Sequence, residues 1–251
     1  MARCQRYMEI YGKSGRSKHR PYDVLDELRR TEMLGLVTIG QTPRPDYEAA
    51  FRENAPGVDF RVVGALDGLT ADEIEALSER PGDFPLHGLL ADGSTCDIQQ
   101  ETLGPLVDQC MRDLVANGAT AVGLLCTGRF HDFDPGVPVL MPGKLLPAVA
   151  GAIAPSRRIG VVAPIESQIA PMRELWEADG FTVTLAAASP YHDGENAAAA
   201  AVMADAAPDL VVLDCVGHGP SSRDEISRLS GRPVLTAQTL LAKVAAEIVA
   251  A

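Results

Sequence analysis

From Leu34 onward, short apolar runs alternate with stretches in which apolar residues recur every three or four positions. The runs Leu34–Ile39, Asp59–Val63, Ala121–Leu125, Val137–Met141, Arg158–Val162, Phe181–Leu185, Leu210–Asp214 and Pro233–Leu235 predict strands. Between most of them, Pro45–Asn54, Ala71–Ser78, Gln99–Asn117, Lys144–Ile153, Glu166–Asp179, Glu195–Ala207, Ser222–Leu229 and Gln238–Val249 predict helices. Strands that are apolar along their whole length are buried on both faces, which is the pattern of parallel sheets covered by helices. One stretch breaks the rhythm. Leu86–Ile98, with Asp92-Gly93 between two short runs, predicts a β-hairpin or an insertion loop.

A weak internal repeat refines this picture. Ala119-Thr-Ala-Val-Gly-Leu-Leu-Cys126-Thr-Gly and Pro208-Asp-Leu-Val-Val-Leu-Asp-Cys215-Val-Gly both follow a helix, read as a buried strand and end in Cys-x-Gly. Each then leads into a Pro-Val strand, at Pro138-Val139 and at Pro233-Val234. The expected fold is therefore α/β: two Rossmann-like lobes with parallel sheets, related by a pseudo-twofold, with an active-site cleft between them. Residues 33–141 with 237–251 form the expected first lobe and residues 142–236 the second. Hinges are expected near Met141–Gly143 and Leu235–Gln238.

Residues 1–32 read as an N-terminal tail, disordered or the product of a start codon assigned too far upstream of Met33. They hold eight basic and five acidic residues in a chain whose net charge is −12, so the remainder is more acidic still. Such a body repels phosphate backbones, so neither a nucleic acid nor an anionic membrane is an expected partner. No apolar run is long enough to span a bilayer, and no apolar segment follows the basic N-terminus as in a secretory signal. The five cysteines, Cys4, Cys96, Cys110, Cys126 and Cys215, are odd in number and lack CxxC pairs, which points to free thiols in a reducing cytoplasm. A homodimer is the default expectation for assembly.

In open parallel sheets ligands bind beyond the carboxyl ends of the strands, where Cys126 and Cys215 fall, one per lobe. Backbone N–H groups of Thr127, Gly128, Val216 and Gly217 are expected to approach an anion there and to lower the thiol pKa values. Buried cysteines at strand ends are commonly structural, but two at equivalent places in a repeat put the catalytic reading level with the structural one. Arg44, in the loop after the first strand, can pair with an anion bidentately. His218 is placed to orient or activate Cys215. Tyr191-His192 and Ser167-Gln168 occupy other loops at the same end of the strands, whereas Cys96 and Cys110 read as incidental and His131-Asp132-Phe133-Asp134 as a solvated loop. A Cys₂His₂ zinc set from Cys126, His131, Cys215 and His218 lacks the spacing of a zinc knuckle, so no metal is expected. No GxGxxG follows the first strand and Gly12-Lys-Ser-Gly lacks the Walker spacing, so no cofactor is expected.

Cys126-Thr-Gly and Asp214-Cys215-Val-Gly-His218, in a two-lobed plan, resemble the paired-cysteine motifs of the aspartate/glutamate/hydantoin racemase superfamily. More closely, Thr38-Ile-Gly-Gln-Thr-Pro-Arg-Pro45, Ile159-Gly-Val-Val-Ala-Pro-Ile165 and Val211-Val-Leu-Asp-Cys-Val-Gly-His218 resemble the AroM family, in order over Leu34–Val249. The resemblance implies cofactor-free proton transfer by Cys126 and Cys215, a carboxylate held by Thr127, and further polar contacts from Gly40, Gln41 and Thr42. The Cys-Asn-Thr and Cys-Thr-x motifs usual in racemases are not intact here, and the resemblance to AroM relatives, in which serine can replace the first cysteine, makes Cys126 the weaker of the two and opens a one-cysteine mechanism. The expected activity is racemisation or epimerisation of a small carboxylate. The alternatives are a single-cysteine decarboxylase or isomerase and a non-catalytic small-molecule binding module.

Overall fold

The structure, a computed structural model, describes residues 33–192 and 194–249. The expected tail lies outside them. The first half of the described chain runs β1 (Met33–Thr38), α1 (Pro45–Asn54), β2 (Asp59–Gly64), α2 (Ala71–Ser78), β3 (Pro85–Leu89), β4 (Thr95–Gln99), α3 (Gln100–Ala116), β5 (Ala119–Leu125) and β6 (Val139–Leu140). The second runs α4 (Pro142–Ile153), β7 (Arg158–Ala163), α5 (Ile169–Ala178), β8 (Thr182–Ala187), α6 (Glu195–Ala206), β9 (Leu210–Leu213), α7 (Pro220–Ser230), β10 (Val234–Thr236) and α8 (Ala237–Ile248).

The strands form two parallel four-stranded sheets, ordered β2-β1-β5-β6 and β8-β7-β9-β10. Counted within its own sheet, with the β3–β4 hairpin left aside, each reads second, first, third, fourth. The Cys-x-Gly repeat is thus matched by repeated topology, and both cysteines follow the third strand of their sheet.

Local chemistry explains where the elements begin and end. Pro45, Pro142 and Pro220 open α1, α4 and α7, where the missing N–H has no intrahelical partner to lose. At α2 Thr70 forms a capping box with Glu73. The strand expected over Val137–Met141 shrinks to Val139–Leu140, because Pro138 cannot donate to the ladder and only its carbonyl bonds, to the Val122 N–H at 3.0 Å. Leu86–Ile98 is the hairpin β3–β4, antiparallel and separate from both sheets. Gly93 takes φ +87° at its turn and Asp92 Oδ1 accepts the Ser94 N–H at 2.9 Å.

One apolar core runs through both sheets: Leu34 and Leu36 of β1, Leu146 of α4, Val161 of β7, Trp176 of α5 and Leu241 of α8 belong to a single buried cluster. Each such side chain contributes about 1.5–3 kcal/mol relative to exposure. A second core, between the first sheet and α3, takes in Leu86 and Ile98 of the hairpin, which therefore folds as part of that lobe. Among the described residues no helix is long and apolar enough to cross a membrane.

Candidate active site

Cys126 follows β5 directly and Cys215 follows β9 by one residue. Both line one cleft between the two sheets. Cys126 Sγ accepts the Gly128 N–H at 3.4 Å, and Cys215 Sγ accepts the Gly217 N–H at the same distance. The repeat therefore holds to the level of single hydrogen bonds. Thr127 bridges the halves by donating its hydroxyl to the Asp214 carbonyl at 2.9 Å. Beneath Cys215, the buried Asp214 carboxyl accepts the Trp176 indole N–H at 2.7 Å.

Neither thiol is activated at rest. Burial pushes Cys126 up to about 12 and Cys215 up to about 11, outweighing the backbone N–H on each sulfur and, for Cys215, the Arg44 charge. The expectation of lowered thiol pKa values is corrected: one N–H bond does not offset the loss of solvent around a sulfur anion. Burial likewise raises Asp214, against the Trp176 bond.

Arg44 is 2% exposed and also lines the cleft. Its Nε and one terminal nitrogen donate to the two Asp46 oxygens at 2.9 and 2.6 Å, and its plane lies 3.7 Å from the Tyr47 ring centroid. Further donations reach Thr38 Oγ1 and Tyr191 Oη, each at 3.4 Å. Burial works against the charge, but the face of the neutral Tyr47 ring, the bonded Asp46 carboxylate and the Tyr191 hydroxyl more than compensate, so Arg44 remains a guanidinium. The two tyrosines stay protonated as a result of burial, Tyr191 pushed up to about 12.

Over the described span the sequence matches the AroM protein family model, from residue 34 to residue 249. The chain belongs to the AroM family. A search of curated proteins finds no match. Among solved structures, arylmalonate decarboxylase superposes with a TM-score of 0.59 at 16% identity, covering 87% of this chain and 92% of that one. Glutamate racemase from Aquifex pyrophilus gives 0.51 at 17% identity, covering 86% and 83%. Maleate isomerase Iso from Pseudomonas putida S16 gives 0.53 at 14%, covering 82% and 88%. At these identities the likeness shows the fold alone.

Within this AroM fold the residues singled out by sequence separate into two groups. Cys126, Cys215, Arg44, Thr127 and Val216 line the cleft, and Gly128 and Gly217 supply the N–H groups behind the sulfurs. Gly40, Gln41, Thr42 and His218 are not among the lining residues. Gln41 spends its side chain on the Leu66 carbonyl at 3.1 Å and the Ala91 N–H at 3.1 Å, and Thr42 bonds Asp67 through both its N–H and its hydroxyl. Gly40 is required by close approach, since a Cβ there would stand 2.1 Å from the Leu89 carbonyl oxygen. These three join the first loop to the hairpin and to the β2–α2 loop.

His218 is fully buried, its Nε2–H donating to the Ala188 carbonyl at 3.1 Å, and burial holds its pKa down to about 4. It positions the loop after Cys215 as a neutral ring. His131 stacks beside Phe133, and Asp132 pairs with Lys144. Among the described residues no three of His, Cys, Asp and Glu come together as metal ligands. Of the titratable lining side chains, Tyr47 and His87 escaped the sequence reading, whereas that reading places Tyr191 at this end of the strands. Tyr47 carried a signal, standing three residues after Arg44 on the same helical face. His87 carried none beyond its place in an apparent insertion.

Proposed function

We propose that this AroM-family chain is a cofactor-independent enzyme that moves a proton at the α-carbon of a small carboxylate, with Cys126 and Cys215 as the paired acid and base. One observation carries the reading: the two thiols occupy equivalent positions in two sheets of like order, share one cleft, and each accepts a single backbone N–H two residues on. In this reading one sulfur loses its proton to solvent while the cleft is open, and as the thiolate it removes the α-proton, whereas the other, still a thiol, gives a proton to the opposite face. Thr127 and the amides of the cysteine loops hold the carboxylate and oppose the charge that develops on it.

The cleft encloses a cavity of about 20 Å³, which is water-sized. A carboxylic acid with substituents therefore enters only when the lobes part, breaking the Thr127–Asp214 bond and the 2.7 Å bond from Gln168 Nε2 to the Pro85 carbonyl. Closure afterwards excludes water from a reaction whose intermediate water would quench.

A second reading is favoured by the raised thiol pKa values. Neutral thiols are proton donors, and loss of CO₂ from a malonate-type acid leaves a carbanion that needs only a donor, which one cysteine supplies. NMR of a panel of amino, hydroxy and malonate-type acids in D₂O with the wild-type protein tests both readings. Deuterium entering the α-position without loss of carbon supports proton transfer, and CO₂ release supports decarboxylation. A panel in which no acid reacts counts against both, in favour of a binding module.

A further inference from the structure

The proposed proton transfer gives His87, a cleft side chain, no task. His87 stands on β3 with its side chain 8% exposed, lines the cleft, and has its Nε2 buried without a hydrogen-bond partner. Across the hairpin its Nδ1 lies 2.7 Å from Asp97 Oδ1. The Asp97 carboxylate accepts there, so the Nδ1 carries the hydrogen and the Nε2 is left open. Desolvating a ring nitrogen without a partner is costly, which makes an unused Nε2 in a cleft wall a group awaiting a ligand.

Charge decides which ligand. Among the cleft-lining residues only Arg44 and His87 have side chains able to carry positive charge. The Arg44 charge is already matched by the bidentate Asp46 pair. An incoming anion therefore meets little unmatched positive charge in the cleft, and the open Nε2 of His87, with the Asp97 carboxylate on the far side of the ring, is the place where an added proton would meet it. The other titratable or charged groups sharing the hairpin or the cleft with His87 are Asp92 at the hairpin turn, Cys96 of β4, Arg44 just before α1, Tyr47 of α1, Tyr191 after β8, whose ring centroid is 5.7 Å away, and the two thiols of Cys126 and Cys215.

We propose that His87 binds the substrate carboxylate, its Nε2 taking a proton from solvent as the anion arrives and donating it to a carboxylate oxygen, with Asp97 balancing the imidazolium. This rests on the reading that the substrate is a carboxylate. It gives the hairpin, which belongs to neither sheet, a place in recognition. Linkage then requires affinity to fall about tenfold per pH unit wherever one full proton is taken up with each anion.

The test uses the described chain in full length with malonate as the probe. Calorimetry in two buffers of different ionisation heat, between about pH 7 and pH 8.5, reads the proton uptake. The expected result is close to one proton per malonate at the alkaline end and roughly tenfold weaker binding per pH unit. His87→Gln should bind at the weak alkaline affinity, with neither pH dependence nor proton uptake. Asp97→Asn, altering a half-exposed side chain, should weaken malonate in the same direction at an unchanged melting temperature. Malonate binding that shifts the Thr127 and Val216 amide signals, yet takes up no proton and is unaffected by His87→Gln, would overturn the inference. Failure of malonate to reach those amides would overturn it as well. Deuterium exchange at the α-carbon is scored separately in the wild type, so loss of the His87 role leaves the proton-transfer reading standing.

Discussion

Replacing Trp176 by Phe tests how the base of the site is built. The indole N–H is the side-chain donor to the buried Asp214 carboxyl, at 2.7 Å, and Asp214 immediately precedes Cys215. Phe keeps much of the ring packing against Phe181 and removes that donor, stranding a buried carboxyl at a cost of about 1–3 kcal/mol. The smaller ring leaves a void, bringing the expected total to about 2–4 kcal/mol. For a domain of this size that lowers the melting temperature by roughly 4–16 °C.

The sign of the pH dependence follows from the raised Asp214 pKa. The folded state holds the proton more tightly than the unfolded chain, so this group is least costly below the unfolded value near 4, and its penalty grows as pH rises towards the folded value. Loss of the indole donor raises the folded value further. The stability deficit of Trp176→Phe should therefore be larger at about pH 7.5 than at about pH 5. Urea denaturation followed by circular dichroism at both pH values measures it. A deficit below about 0.5 kcal/mol, or one that does not grow with pH, would refute the reasoning.

Other outcomes follow from the same geometry. Mapped by mass spectrometry, iodoacetamide labelling of Cys126 and Cys215 should keep rising through about pH 9, because both thiols titrate at about 11–12; a plateau below pH 8 would contradict this. His218 is held neutral with a pKa of about 4, so its contribution is complete above its unfolded value near 6.5 and is lost as pH falls towards 4, on the order of 3 kcal/mol in all. His218→Asn should flatten that part of the denaturation profile, and an unchanged slope would argue against a buried neutral ring. Gly40→Ala should cost about 1–3 kcal/mol, because its Cβ meets the Leu89 backbone oxygen. Gly160→Ala should cost less, since its nearest contact is the flexible Met203 sulfur, and melting curves giving the reverse order would refute the comparison.

The repeat and the positions of the two cysteines were legible in the sequence because both depend on local pattern. Continuous apolar runs mark strands buried on both faces, and Cys-x-Gly recurs at the end of the third strand of each half. The hairpin was signalled by Asp92-Gly93, whose turn needs a positive φ. Long-range properties were not legible. The thiol pKa values depend on burial among residues from both halves, which outweighs the loop N–H groups. The resemblance implied ligand contacts from Gly40-Gln41-Thr42, and the bonds that Gln41 and Thr42 make to Leu66, Asp67 and Ala91, far along the chain, leave no mark in the local sequence. His87 acquires meaning only when the fold lays the hairpin over the cleft and brings its ring beside Tyr191.

The central claim, that two thiols act together at one carbon, is tested most directly by comparing wild type, Cys126→Ala and Cys215→Ala. The assay is interconversion of enantiomers and α-deuterium uptake in D₂O on whichever acid the wild type turns over. The account predicts that each substitution alone lowers interconversion by about 10²–10⁴-fold, because each removes the proton carrier on one face. Interconversion that survives Cys126→Ala and is lost only with Cys215→Ala would contradict it.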